Sequence, residues 1–290
     1  MKPRAWITGA GGLIGHQLVR TAARWAPEWQ ILPVTRQTVD LTEERAVRSL
    51  WRSSPPALVI HCAAASRPAA CEQDPAWARS INVRSTALLA SLAEEIPFLW
   101  FSSDQVFDGT KGWYVETDRV NPINVYGETK AEAEQVVLAN PGHTIIRVAL
   151  TAGMSPTGDR SFVEDMRRTA RKKPLTLFTD EYRTPVPAGV VTRAVWELVR
   201  LGRGGLYHLG GKERLSRLEI GTALALRYPE LVSRIVAGSV REYEGPKRPA
   251  DLSLCCDKLQ QLLSFPLVGL RDWLDKRDES GPDLWDYGDS

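Results

Sequence analysis

One stretch near the N-terminus restricts the fold more than any other. Ala5-Trp6-Ile7-Thr8 is short, apolar and reads as a buried strand. Gly9-Ala10-Gly11-Gly12-Leu13-Ile14-Gly15 follows at once, and Leu18, Val19 and Ala22 then recur at helical spacing. Strand, glycine turn, helix is how a doubly wound parallel sheet begins. Glycines let the backbone turn tightly and approach a pyrophosphate, whose charge sits at the helix N-terminus. The spacing is G-x-x-G-x-x-G through Gly9, Gly12 and Gly15, not the stricter G-x-G-x-x-G. The expected cofactor contacts here are Gly9, Gly12, Leu13, Ile14 and Gly15.

The alternation continues. Ile31-Leu32-Pro33-Val34, Ala57-Leu58-Val59-Ile60-His61, Phe98-Leu99-Trp100-Phe101 and Thr144-Ile145-Ile146-Arg147-Val148 read as further buried strands, with helical patterns between them. One long helix is expected from about Trp77 to Glu95. The predicted fold is therefore α/β, with residues 1–150 as the cofactor domain and a further strand and helix supplied from about 187–210. Residues 151–186 and 211–277 are expected to form a smaller substrate-binding lobe, and 278–290 an acidic tail. Ser216 is expected to cap a helix running to Tyr228, and two short helices, about Asp257–Leu263 and Val268–Lys276, to close the fold.

Several strand ends carry chemistry. An acid commonly ends the second strand where a ribose 2′-hydroxyl is bound, but Thr35-Arg36 stand there instead. A guanidinium suits a 2′-phosphate. Arg36 thus leans the reading towards NADP(H) over NAD(H), with a solvated surface arginine as the other reading. Asp40, followed by Leu41, is a candidate acceptor for an adenine amino group, and Thr42 a candidate helix cap. Ala63, Ala64 and Ala65 after the third strand are small enough for a cofactor to lie across them. After the fourth strand come Ser102-Ser103-Asp104-Gln105-Val106, hydroxyls and polar groups at the edge where open α/β sheets bind ligands.

Composition excludes other classes. A net charge of +2 makes no case for nucleic acid or an anionic membrane as the main partner. No run of 18 apolar residues predicts a membrane span. Four scattered histidines and four cysteines without Cys-x-x-Cys spacing argue against a metal site and for reduced thiols in a cytoplasmic protein.

Tyr126 and Lys130 lie four residues apart where helix formers begin, so they share one helix face. A cation beside a phenol favours its charged form. Bringing a tyrosine from about 10 to near 7 takes roughly 4 kcal/mol of differential interaction.

Thr8-Gly9-Ala10-Gly11-Gly12-Leu13-Ile14-Gly15, His61-Cys62-Ala63-Ala64, Ile81-Asn82-Val83 and Tyr126-x-x-x-Lys130 resemble the extended short-chain dehydrogenase/reductase superfamily, with its Rossmann-type sheet. Ser102–Gly109, Glu116-Thr117-Asp118, Pro122-x-Asn124-Val125-Tyr126-Gly127-x-Thr129-Lys130 and Arg248-Pro249 look like the dTDP-4-dehydrorhamnose reductase family. The resemblance runs to about residue 275. It implies Tyr126 as proton donor to a carbonyl, Lys130 as the residue that binds the nicotinamide ribose and lowers the tyrosine pKa, and Ser103 as hydrogen-bond partner of the carbonyl. It implies a sugar-nucleotide substrate contacted by Ser103, Asp104, Gln105, Val106 and Arg248, although a structural ion pair is an equal reading of Arg248. A homodimer is a candidate assembly. Superfamily dehydratases have Asp-Glu where this chain has Asp104-Gln105, and an amide cannot serve as that acid or base. The family tryptophan after the fifth strand is replaced by Leu150. Two other functions share these motifs: a non-catalytic NADP-binding regulatory subunit like the methionine adenosyltransferase β subunit, and a sugar-nucleotide epimerase.

Overall fold

The computed structural model describes residues 2–275, so the acidic tail predicted at 278–290 lies outside the described residues. The chain begins β1 (Arg4–Thr8), α1 (Leu13–Trp25), β2 (Gln30–Val34), α2 (Glu44–Ser53), β3 (Leu58–His61), α3 (Pro68–Gln73), α4 (Pro75–Arg79), α5 (Ser85–Leu92) and β4 (Phe98–Ser103). It continues α6 (Val125–Leu138), β5 (Thr144–Val148), β6 (Thr151–Ala152), α7 (Phe162–Ala170), β7 (Leu175–Phe178), β8 (Tyr182–Arg183), β9 (Val186–Pro187), α8 (Ala188–Leu201) and β10 (Gly205–Leu209). It closes with β11 (Leu215–Ser216), α9 (Arg217–Arg227), β12 (Ile235–Gly238), α10 (Asp257–Gln260) and α11 (Leu270–Asp275).

Six strands form one parallel sheet in the order β10-β5-β4-β3-β1-β2. The chain runs outward from β1 to β2, then returns to the other side of β1 and proceeds through β3, β4 and β5 to β10. The reversal lies between β1 and β3, and ligands bind such sheets outside the strand carboxyl ends at this crevice. Alternation along the strands feeds two cores. Ala5, Ile7, Leu58, Ile60, Leu99, Phe101 and Ile146 face the layer of α1 and α8. Trp6, Val59, Phe98, Trp100 and Ile145 face the layer of α2, α5 and α6. A third buried cluster joins Val163 and Met166 of α7, Leu175 and Leu177 of β7, Ile220 and Leu224 of α9, and Trp273 of α11.

Local chemistry sets the helix boundaries. Ser161 and Ser216 each make a capping box, with Glu164 and Glu219 respectively, as expected for Ser216. The helix expected over 77–95 is interrupted by a π turn at Ser80–Arg84, which turns Asn82 inward. Thr42 does not cap α2: its hydroxyl and amide both donate to Asp40 Oδ1, and α2 starts after Glu43 without a side-chain cap. The last two helices are shorter than expected. Between them the Gln260 side chain donates to the Phe265 carbonyl and accepts from the Leu267 amide, holding a turn in place of helix.

Candidate active site

The glycine turn forms because the β1–α1 connection has no space for side chains. Gly9 has φ +65, and a Cβ there would lie 2.6 Å from the Ala63 amide nitrogen. That contact also places Cys62 and Ala63, just after β3, against the turn. Gly12 stands at the N-cap of α1 without a side-chain cap, and the first turn holds no acidic residue. The opening amides of α1 are thus available to an anion. The bare turn, the uncapped helix and the adjacent alanines fit a dinucleotide pyrophosphate.

Arg36 follows β2 and is exposed, with no acid ending that strand. Asp40 keeps its carboxyl below the usual range through hydrogen bonds from Thr42, with Arg36 adding a smaller pull. One Asp40 oxygen is occupied by Thr42. Leu41 is partly buried against the α2 core and serves packing.

Ser103 ends β4, and Tyr126 and Lys130 lie on the first turns of α6. Asn124 caps α6, its side chain accepting from the Gly127 amide at 2.9 Å. Gly127 is bare because a Cβ would meet the Gln105 carbonyl oxygen at 2.1 Å. That close approach seats α6 against the end of β4, and the Ser103 hydroxyl is among the groups that pull on the Tyr126 phenol. Ser103 Oγ also reaches Asp104 Oδ1 at 3.0 Å. All three side chains are buried.

Lys130 departs from expectation. Its ammonium donates to the Phe101 carbonyl at 2.5 Å and sits 4.1 Å from the Trp100 ring centroid. A buried ammonium needs acceptors, and these are the ones α6 places in reach. Burial drives it down to about 7, against the attraction of Glu134. Tyr126 is driven the other way: burial raises it above its ordinary range, opposed by the Ser103 hydrogen bond and aided by Asp104 and Cys71.

Asp104 is buried and raised to about 6 by that burial, although Arg183, 4.0 Å away, favours its charged form. Arg183 belongs to a buried charge cluster. Glu181, fully buried, takes Arg248 in a two-pronged contact of 2.6 and 2.9 Å and Arg183 at 3.0 Å, with Arg217 at 3.8 Å. Arg248 is therefore in the ion pair that was one of its two readings, with its side chain about one third exposed. Val106 is fully buried with Phe107, Tyr114, Leu252 and Leu254, so its side chain is taken up by that core.

Sequence reasoning passed over Asn82, Glu181, Arg183 and Arg217 as site residues. Asn82 holds the Ala65 amide at 2.8 Å and the Ala65 carbonyl at 3.1 Å, and donates to Thr129 of α6 at 2.9 Å. It thereby ties the cofactor edge to the helix of Tyr126. Its signal was the Ile81-Asn82-Val83 motif. For Glu181 and Arg183 there was only a charged loop. His61 stays neutral, driven down to about 3 by burial and bracketed by Thr8 and Thr86 hydroxyls. Among the described residues no group of histidine, cysteine and carboxylate side chains could hold a metal, and no helix is long and apolar enough to cross a membrane.

The RmlD substrate binding domain model matches residues 3–277. The chain belongs to the RmlD substrate-binding domain family. A dTDP-4-dehydrorhamnose reductase of Sinorhizobium fredii is 31% identical over 280 residues, covering 91% of this chain and 93% of the relative. Methionine adenosyltransferase 2 subunit beta of Rattus norvegicus is 30% identical over 277 residues, covering 89% and 82%. The crystal structure of dTDP-4-dehydrorhamnose reductase from Bacillus anthracis, in complex with NADP, has the same fold. It superposes with a TM-score of 0.86 at 24% identity over 95% of this chain and 98% of that one.

Proposed function

We propose that this RmlD-family chain is an NADPH-dependent reductase of a carbonyl on a sugar nucleotide. What supports the reading is that Ser103 ends β4 while Tyr126 and Lys130 lie on successive turns of α6 packed against it, in a sheet whose β1–α1 turn is bare glycine. The reductase relative from Sinorhizobium fredii supports the substrate class.

A bound nicotinamide dinucleotide supplies hydride. The chain's own residues do the rest. The amides opening α1 hold the pyrophosphate, with Leu13 and Ile14 in the first turn, and Arg36 holds a 2′-phosphate, which favours NADP(H) over NAD(H). Ser103 donates to the substrate carbonyl oxygen. Tyr126, kept neutral by burial, donates its proton to that oxygen as it becomes an alkoxide. General acid help of this kind is worth about 10² to 10⁴ in rate. Lys130, one helical turn on from Tyr126, would hold the ribose hydroxyls and favour the tyrosinate that results. Residues 1–150 and 187–210 carry the cofactor; 151–186 and 211–277 carry the sugar nucleotide, with Arg248 and Asp104 at its border. Gln105 cannot remove a proton, which disfavours dehydration. The β-subunit relative carries a second, regulatory reading; the presence of Ser103, Tyr126 and Lys130 together supports the enzyme reading. Absorbance of NADPH during incubation with a panel of 4-keto sugar nucleotides tests the proposal. Loss of absorbance with at least one member is expected; no turnover with any, together with stable co-purification of another enzyme, would favour the regulatory reading.

A further inference from the structure

Asn124 serves three parts of the chain with one buried amide. Its Oδ1 accepts from the Gly127 amide and caps α6. Its Nδ2 donates to Gln105 Oε1 at 3.0 Å and to the Lys247 carbonyl at 3.3 Å. The cap alone does not call for asparagine, since aspartate and serine cap as well. The two donor bonds are what aspartate and serine cannot reproduce.

Those bonds have a chemical consequence. Gln105 is half-buried and directly follows Ser103 and Asp104. With its carbonyl oxygen engaged by Asn124, the group it has left for a ligand is its Nε2, a donor without an acceptor. The other bond grips the segment that leads into Arg248, which is tied to Glu181, and Pro249, whose carbonyl accepts from Arg183. We infer that Asn124 is a positioning residue: it presents Gln105 as a hydrogen-bond donor to an acceptor oxygen of the sugar, and joins the 247–249 segment to the catalytic helix. The inference rests on the reductase reading for the identity of the ligand, and on geometry alone for the tie.

Asn124→Asp separates this role from folding. A carboxylate still caps α6, with a charge that suits a helix N-terminus. It cannot donate, so the Gln105 amide turns over to donate to it and offers its carbonyl to the sugar, and the Lys247 bond is lost. The expected result is a thermal midpoint within about 4 °C of the parent. NADPH affinity should change by less than about twofold, while KM for the sugar nucleotide rises about tenfold and kcat by contrast moves little, the pattern of lost uniform binding. Asn124→Ser, capping without a charge, should raise KM by a smaller factor. Gln105→Ala should raise KM like Asn124→Asp, and the two together should cost little more than one alone. A parental KM in Asn124→Asp, or equal losses in KM and NADPH affinity, would overturn the inference. Hydrogen exchange over 247–251 keeps the two readings apart. If the parent protein reduces no sugar nucleotide, the reductase reading fails, yet this segment should still exchange faster in Asn124→Asp. Unchanged protection there overturns the tie.

Discussion

Gly127→Ala is the most discriminating structural perturbation of the site. An alanine Cβ would lie 2.1 Å from the Gln105 carbonyl oxygen, 2.9 Å from Pro122 Cβ and 3.1 Å from the Gln105 carbonyl carbon. Real Cβ contacts essentially never fall under 3.0 Å, so about 1 Å of extra separation must be found. The obstacle is main chain, so a rotamer change cannot supply it. Helix propensity favours alanine by about 0.5–1 kcal/mol, while overpacking costs about 1–3 kcal/mol. The net expectation is a modest destabilisation, on the order of 1 kcal/mol. The larger effect falls on catalysis. The residue next to Tyr126 is pushed away from the loop that follows Ser103, and a misplacement of about 1 Å can cost on the order of 10²-fold in rate. The clash involves Gln105 and Pro122 and no residue of the Gly9–Gly15 turn, so NADPH binding should persist. Steady-state kinetics of NADPH consumption, with fluorescence titration of NADPH, measure both quantities. Parental kcat in a folded Gly127→Ala protein would refute the claim that this approach sets the catalytic geometry.

Arg36→Ala should remove most of the preference for NADPH over NADH, read from paired dissociation constants; a preference that survives intact would place 2′-phosphate recognition elsewhere. Lys130 predicts a pH dependence in the cofactor-free protein. Burial brings its folded pKa to about 7, below the ordinary lysine value of 10.5, so the folded state holds fewer protons than the unfolded chain between those values. Stability should therefore rise with pH from about 7 towards 10.5, its contribution being full above 10.5 and lost as pH falls through about 7. Lys130→Met should flatten that slope in urea titrations at pH 7, 8 and 9, and an unchanged slope would contradict the burial argument.

Legibility followed the range of the interactions. The glycine turn, the period-two strands and the Ser216 cap depend on residues close in sequence, and each could be read from it. Gly127 was visible as a motif residue, but its reason, the Gln105 carbonyl, lies across a loop. The π turn at Ser80–Arg84 was hidden because the sequence there keeps a helical pattern, and the turn answers to Ala65 and Thr129 contacts. Val106 read as a loop residue beside the site, yet it packs with Leu252 and Leu254, far along the chain. Lys130 was placed on the right helix face but not on the Phe101 carbonyl, since side-chain direction depends on what β4 offers. The Glu181 cluster joins charges from three separate segments, which no spacing rule connects.

The central claim is that Tyr126 delivers the proton. Tyr126→Phe removes one hydroxyl from a buried ring and leaves the cofactor edge untouched. With a 4-keto sugar nucleotide that the parent protein reduces, the variant should lose about 10² to 10⁴ in kcat and keep NADPH affinity within about threefold, since a change of that size is below 1 kcal/mol. Reduction at the parental rate would contradict the account.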